Sequence, residues 1–186
     1  MSPLETIELD ALNDREIFMT DSALDRPDAA VDHPNVMVFP PMILLSALVL
    51  ACALQWPVPL GWIAEFDRGW RFGLGTFIVM AGLLTTSAGR RALLRHGTNI
   101  NPSLPTTMLV TEGVFGLIRN PLYVGMSAAL CGIALIFALD WLLLLILPSC
   151  VVLHFAVVRR EERYLERKFG EAYRRYKERV PRYLPG

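Results

Sequence analysis

Apolar residues dominate three stretches of the chain, and polar residues separate them in a pattern that predicts helices. Residues 36–56 form the first apolar run, with Pro40 and Pro41 near its start, where missing amide donors do least damage. A short loop follows over 57–69. A second run covers 70–88 and carries Gly73, Gly75 and Gly82, small residues that let neighbouring helices approach closely in lipid. Residues 89–120 then read as a polar stretch, too irregular for one helix and too long for a simple turn. From 121 to 158 the chain is apolar apart from Asp140 and His154. That is too long for a single helix across a bilayer about 30 Å thick. It predicts two spans joined at Leu139-Asp140-Trp141, the second kinked by Pro148.

After Val158 the period changes. Leu165, Phe169, Tyr173, Tyr176 and Val180 recur at helical spacing among Arg, Lys and Glu, which predicts an amphipathic helix over 159–180 ending before Pro181. Gly170 interrupts it, at an expected cost of about 1 kcal/mol relative to Ala. The fold class expected is therefore all-α: a membrane bundle of four transmembrane helices plus a C-terminal amphipathic cytosolic helix. Three regions follow: a tail over 1–35, two spans over 36–88, and a core over 89–186 built from polar loop, hairpin and amphipathic helix.

Composition sharpens this picture. Of 186 residues, 53% are hydrophobic and 19% charged, against about 25% charged in ordinary globular domains. The 18 basic and 18 acidic side chains cancel, which speaks against nucleic acid as a partner. They are also segregated. Residues 1–35 hold nine acids and two arginines, while 159–182 hold ten basic residues and five acids. The acidic segment reads as a disordered tail, with a weakly supported amphipathic helix over 4–19. No basic segment precedes an apolar core there, so it does not read as a secretory signal.

Arginine-rich 89–120 and the basic C-terminal segment both belong on the cytoplasmic side, which puts both termini there. Trp56, Trp62, Trp70 and Trp141 all fall at the opposite interface. Cys52, Cys131 and Cys150 sit in apolar runs as free thiols, and the histidines show no zinc spacing, so no metal is expected.

Two polar segments flank the last hairpin on one side. The first runs Thr107-Met108-Leu109-Val110-Thr111-Glu112-Gly113-Val114-Phe115, then Arg119-Asn120-Pro121-Leu122-Tyr123-Val124-Gly125. The second is Glu161-Glu162, then Phe169-Gly170, Tyr173, Tyr176 and Val180-Pro181. Because the hairpin returns the chain to the side it left, Asn120 and Glu161 can meet. Their order and spacing over residues 97–185 resemble the isoprenylcysteine carboxyl methyltransferase family and its bacterial relatives.

The resemblance implies an integral membrane methyltransferase of a bacterial cytoplasmic membrane. It would use S-adenosyl-L-methionine in a cytosolic pocket and act on a lipophilic small-molecule or lipidated acceptor from the bilayer. It implies cofactor contacts from Thr107, Met108, Leu109, Val110, Phe115, Asn120, Pro121, Leu122, Tyr123 and Glu161. The backbone at 107–110 would meet the adenine edge, Asn120 and Tyr123 would donate to the carboxylate or ribose, and Glu161 would pair with the ammonium group or ribose. Glu162, about 100° away on the helix, would face elsewhere.

The family's His is Asn120 here, its Tyr is Phe115, and its substrate-contacting Arg falls at Val157. The last departure implies an acceptor other than a prenylcysteine carboxylate, with Arg160 and His154 as weaker acceptor-side candidates.

Plainer readings stand beside these. Arg119 could be a snorkelling anchor, Asn120-Pro121 a helix start, Tyr123 an interfacial aromatic, and Glu161 a helix cap. His154 could be a satisfied membrane histidine, and the Tyr173–Tyr176 stripe simple packing. An alternative function is a catalytically silent membrane scaffold or regulatory protein that retains the fold.

Overall fold

The computed structural model describes residues 39–101 and 104–184, and the described part is helical without strands. The acidic tail, the helix expected over 4–19 and the first residues of the first apolar run lie outside the described residues. Among the described residues the α-helices are α1 Pro40–Gln55, α2 Arg68–Arg95, α3 Pro121–Phe137, α4 Asp140–Leu153 and α5 Arg159–Arg179.

Helix α1 begins on Pro40 and Pro41, which occupy the first turn as expected. Asp67 caps α2 by accepting from the Trp70 amide at 3.1 Å. This helix does not stop at residue 88. Arg90, Arg91 and Arg95 continue it, because arginine is a good helix former and no breaker intervenes before Gly97. Gly97 then takes a left-handed φ of 61°, and the Gly97 and Thr98 amides bond back to the Leu94 and Leu93 carbonyls. The first seven residues of the expected polar stretch, 89–95, are thus helical.

Helices α2 and α3 run antiparallel in close contact. Gly75, Gly82 and Gly89 lie at seven-residue spacing on one face of α2 and are buried. A Cβ at Gly75 would meet the Gly132 carbonyl at 2.8 Å, and one at Gly82 would run into the Gly125 carbonyl. Gly73, expected among these contacts, points into open space, and Gly89 takes its place in the seam. The second pairing joins α1 to α4 around Ala51, Ala134, Leu142 and Ile146.

The turn between α3 and α4 falls at Ala138-Leu139, with Ala138 left-handed at φ 53°. Asp140 starts α4 and is 2% exposed. Its carboxylate accepts from the Ile63 amide at 2.8 Å, the Gly61 amide at 3.0 Å and Gln55 Nε2 at 3.4 Å. This pins the loop between α1 and α2 to the far end of the bundle, where Trp56, Trp62, Trp70 and Trp141 also lie.

The outer surface is apolar. Phe72, Leu74, Phe77, Met80, Leu83 and Leu84 of α2 are exposed, as are Leu144, Leu147, Val151 and Val152 of α4. Only 17% of the most apolar stretch of α2 is buried, and 28% of that in the α4–α5 helix. A core helix of a soluble protein would be buried, whereas a lipid-facing one is apolar outward. Among the described residues, these two helices are long and apolar enough to cross a membrane. Helices α1 and α3, at 16 and 17 residues, reach about 24–26 Å at 1.5 Å per residue and are shorter apolar helices.

Pro148 lies inside α4, yet the departure from α geometry comes later. His154–Val158 forms a π turn that carries α4 directly into α5. Within α5, Gly170 adopts φ 53° and ψ −125°, which breaks the helix in two. That reverses the sign of the cost expected from sequence, because this backbone region strains any residue with a Cβ. Gly170→Ala should destabilise the protein by about 1–3 kcal/mol, although the added methyl would touch nothing within 4 Å. Thermal unfolding in detergent checks this, since a continuous helix would instead gain stability from Ala.

Candidate functional site

The pocket forms at the end of the bundle where α2 finishes and α3 begins. Thr98, 4% exposed, accepts the Thr107 amide on its hydroxyl at 3.1 Å, while Thr107 Oγ1 donates to the Gly97 carbonyl. Asn99 Nδ2 donates to the Pro105 carbonyl at 2.7 Å, and the Thr106 amide donates to the Tyr164 hydroxyl of α5 at 3.1 Å. These bonds fold the loop back so that residues 106–110 lie along α5. Gly113, at φ 61°, opens a short turn over Gly113–Gly116 that buries Phe115, whose carbonyl accepts from the Tyr176 hydroxyl at 2.7 Å.

Together with the first turn of α3 and the inner face of α5, these segments enclose about 790 Å³ of empty space, counting the open mouth. Met108, Leu109, Val110, Phe115, Asn120, Pro121, Leu122, Tyr123 and Glu161 all line it. Thr107 does not, because its amide and hydroxyl are spent on holding residues 97–98.

The two carboxylates at the start of α5 both line the pocket, contrary to the expectation that only one would. Their environments separate them. Glu162 bonds to Arg119 Nη1 at 2.8 Å and takes both Nε and Nη2 of Arg182, at 2.9 and 2.7 Å. Glu161 accepts from the Tyr123 hydroxyl at 3.0 Å, and among the described residues no cation pairs with it. Burial therefore pushes its pKa from 4.5 up to about 7, with Glu162 adding to the rise and the Tyr123 bond opposing it.

Arg119 is 91% buried by side chain, from an exposure of 9%, and its Nε has no hydrogen-bond partner. It is no snorkelling anchor but a wall of the pocket carrying one unmet donor.

Asn120 precedes Pro121 at the helix start but does not cap it. Its Nδ2 donates to the Arg182 carbonyl at 3.1 Å. With one amide hydrogen committed, Asn120 keeps its Oδ1 oxygen and a second amide hydrogen for a ligand. Tyr123 likewise has its proton on Glu161. Each of the two residues expected to donate to a carboxylate thus has one donor engaged, and Arg119 Nε is a buried donor without a partner.

The Tyr173 and Tyr176 phenols also line the pocket. Burial pushes Tyr173 up to about 12, and Tyr176 is raised as well, so neither is a base at neutral pH. They pack against Leu109, Leu165 and Phe169, so the aromatic stripe both packs and forms wall.

The acceptor-side candidates lie elsewhere. Arg160 and His154 do not line the pocket, and His154 Nδ1 shares a 2.6 Å bond with the Tyr183 hydroxyl. Val157 is fully buried.

Sequence reasoning missed Leu93, Asn99, Ile100 and Thr106 as lining residues, since they reach the pocket only through the Gly97 helix stop and the loop's internal bonds. It also missed Glu162, for which the Arg119 two elements away is the signal. Among the described residues no cluster of His, Cys, Asp and Glu could hold a metal ion.

No curated protein and no solved structure matches the chain. A family model does: residues 70–172 match that of the phospholipid methyltransferases, over the segment that carries α2, the loop, the α3–α4 hairpin and most of α5. The chain belongs to the phospholipid methyltransferase family, among the membrane methyltransferases related to isoprenylcysteine carboxyl methyltransferase.

Proposed function

We propose that this protein is an S-adenosylmethionine-dependent methyltransferase that modifies a lipophilic acceptor at the cytosolic face of a membrane crossed by four helices. One observation carries the reading. A single pocket holds a half-buried carboxylate that no cation pairs with among the described residues and a buried guanidinium nitrogen without an acceptor, at one end of a bundle whose α2 and α4 faces are apolar.

These unmet groups fit the cofactor's amino-acid end. Glu161 takes the ammonium group, and Arg119 Nε takes the carboxylate, because buried charge is tolerated only with partners of opposite sign. Asn120 Oδ1 accepts from the ammonium or a ribose hydroxyl. The backbone of Met108–Val110 and the Phe115 ring form the adenine side. Bound there, the cofactor supplies a methyl group already activated by its positive sulfur. The work left to the chain is positioning and exclusion of water, which together can contribute about 7–11 kcal/mol.

The same pocket argues about the acceptor. With Val157 buried and Arg160 outside the lining, Arg119 is the one cation among the described lining residues, and the cofactor's own carboxylate would occupy it. An acceptor that arrives from the bilayer as a neutral amine, or as an anion needing no fixed partner, fits better than a prenylcysteine carboxylate.

Titration calorimetry of the detergent-purified protein with S-adenosylmethionine should give saturable heat. Membranes incubated with methyl-labelled cofactor should place label in extractable lipid, and a farnesylated cysteine analogue should accept little. Absence of heat at millimolar cofactor, or brisk turnover of the farnesylated analogue, would overturn the corresponding part. Reporter fusions at Gly186 and within residues 57–69 should give opposite signals if four helices cross the membrane.

A further inference from the structure

Beyond residue 172, where the family match ends, the chain does not simply leave the protein. Residues 180–184 follow the end of α5 and run back across the start of α3. The Pro181 carbonyl accepts the Arg119 amide at 2.9 Å, and the Arg182 carbonyl accepts Asn120 Nδ2 at 3.1 Å. The Arg182 side chain grips Glu162 with two nitrogens, at 2.9 and 2.7 Å. One residue on, Tyr183 bonds His154 in the π turn at 2.6 Å. Two consecutive carbonyls thus hold two consecutive pocket residues, and the two side chains that follow anchor the segment to α5 and to the π turn.

We propose that residues 181–183 are a positioning strap: the Arg182 carbonyl sets which atom Asn120 presents to the pocket, and the Arg182 and Tyr183 side chains hold that carbonyl in place. The inference rests on the methyltransferase reading above and deepens it.

A primary amide can face a ligand with either end, and the choice follows its hydrogen-bond network. Here the strap supplies a carbonyl, which can only accept, so Nδ2 must turn to it and Oδ1 to the pocket. The Arg182–Glu162 contact is bidentate, a geometry that fixes direction as well as distance. The same contact holds Glu162 toward Arg119 and so fixes the guanidinium whose Nε is unmet. A π turn inserts an extra residue into the helix ladder and often sits at functional positions. In this chain it brings His154 to Tyr183, which explains why a membrane-end histidine is half-buried and bonded yet outside the pocket.

The test compares Arg182→Gln, Arg182→Lys, Tyr183→Phe and the surface control Glu166→Gln, all as full-length protein in detergent. Each is measured for S-adenosylmethionine affinity, unfolding temperature and hydrogen exchange at the Arg119 amide. Arg182→Gln should weaken cofactor binding roughly tenfold and expose the Arg119 amide to exchange. Arg182→Lys, which restores the charge but not the fork, should recover only part of the affinity. Tyr183→Phe should speed exchange at Arg119 with a smaller loss of affinity, and it reports on the strap even if the Arg182 variants fail to fold. Glu166→Gln, which loses its contacts with Lys177 and Arg174 outside the strap, should match wild type in cofactor affinity and in exchange at the Arg119 amide.

Wild-type affinity in folded Arg182→Gln, or an Arg119 amide equally protected in Tyr183→Phe, would overturn the strap. Failure of wild type itself to bind the cofactor would instead remove the methyltransferase reading beneath it.

Discussion

Gly82→Val is expected to abolish the folded bundle. A Cβ at Gly82 would collide with the Gly125 carbonyl and lie 2.7 Å from the Ala129 amide nitrogen, both backbone atoms that cannot rotate away. The seam is reciprocal. A Cβ at Gly125 would meet the Gly82 carbonyl at 2.5 Å, and one at Gly132 would meet the Gly75 carbonyl at 2.5 Å. Valine would therefore have to part α2 from α3 along several turns. Overpacking a core with flexible neighbours costs about 1–3 kcal/mol, and a rigid backbone neighbour raises that above about 3 kcal/mol. Because the pocket hangs from the ends of these two helices, cofactor binding should disappear with the fold.

Gly73→Val is the matched control. Nothing lies within 4 Å of a Cβ there, so it should express and unfold like wild type. Detergent-solubilised yield and thermal unfolding of the pair decide it. Equal behaviour of the two variants would mean that the helices do not meet through this seam.

Glu161→Gln is expected to weaken S-adenosylmethionine binding by roughly 10- to 150-fold, the loss of one charge-assisted bond of about 1.5–3 kcal/mol. The apo protein should at the same time become slightly more stable at neutral pH. Unfolded, this carboxyl loses its proton near 4.5; folded, it does so only near 7. Between those values the folded state binds more protons, so stability falls as pH rises, and a neutral glutamine is exempt from that fall. Affinity for the ammonium group should run the other way, rising with pH through about 7 in wild type and flat in the variant. Calorimetry across pH 5.5–8.5 reads both trends.

Glu162→Gln should behave differently. It abandons Arg119, which is almost fully buried, and Arg182. Breaking such a pair costs about 3 kcal/mol, so its signature is lost stability. A Glu161 variant that binds like wild type would remove this residue from the site.

The hydrophobic pattern was enough to place the helices, but not the end of α2 at Arg95 or the break in α5 at Gly170. An apolar run of about 20 residues has few alternatives once backbone groups must be satisfied without water. The Pro pair opening α1 and the Pro181 stop are local effects that no neighbour overrides. The resemblance carried by the order of motifs pointed to Met108, Phe115, Asn120, Tyr123 and Glu161, and the hairpin that returns the chain to the side it left let Asn120 and Glu161 meet.

Interactions between elements settled what that pattern left open. Gly89 shares the seven-residue spacing of Gly75 and Gly82 and Gly73 does not, but it is the crossing of α2 and α3 that makes that spacing a seam. Gly170 looks like a weak helix residue until its backbone is seen to be left-handed, which lets Tyr173 and Tyr176 fold back onto the pocket. Helical geometry separates Glu161 from Glu162 by about 100°, but a pocket that wraps the helix accepts both. Their different tasks come from Arg119 and Arg182, some 40 and 20 residues away. The direction of the Asn120 amide is fixed by a carbonyl 62 residues further on. Periodicity follows from the cost of burying backbone and exposing apolar surface, which each segment meets by itself. Partner choice among buried polar groups depends on which segments share a site, and that is a property of the folded chain.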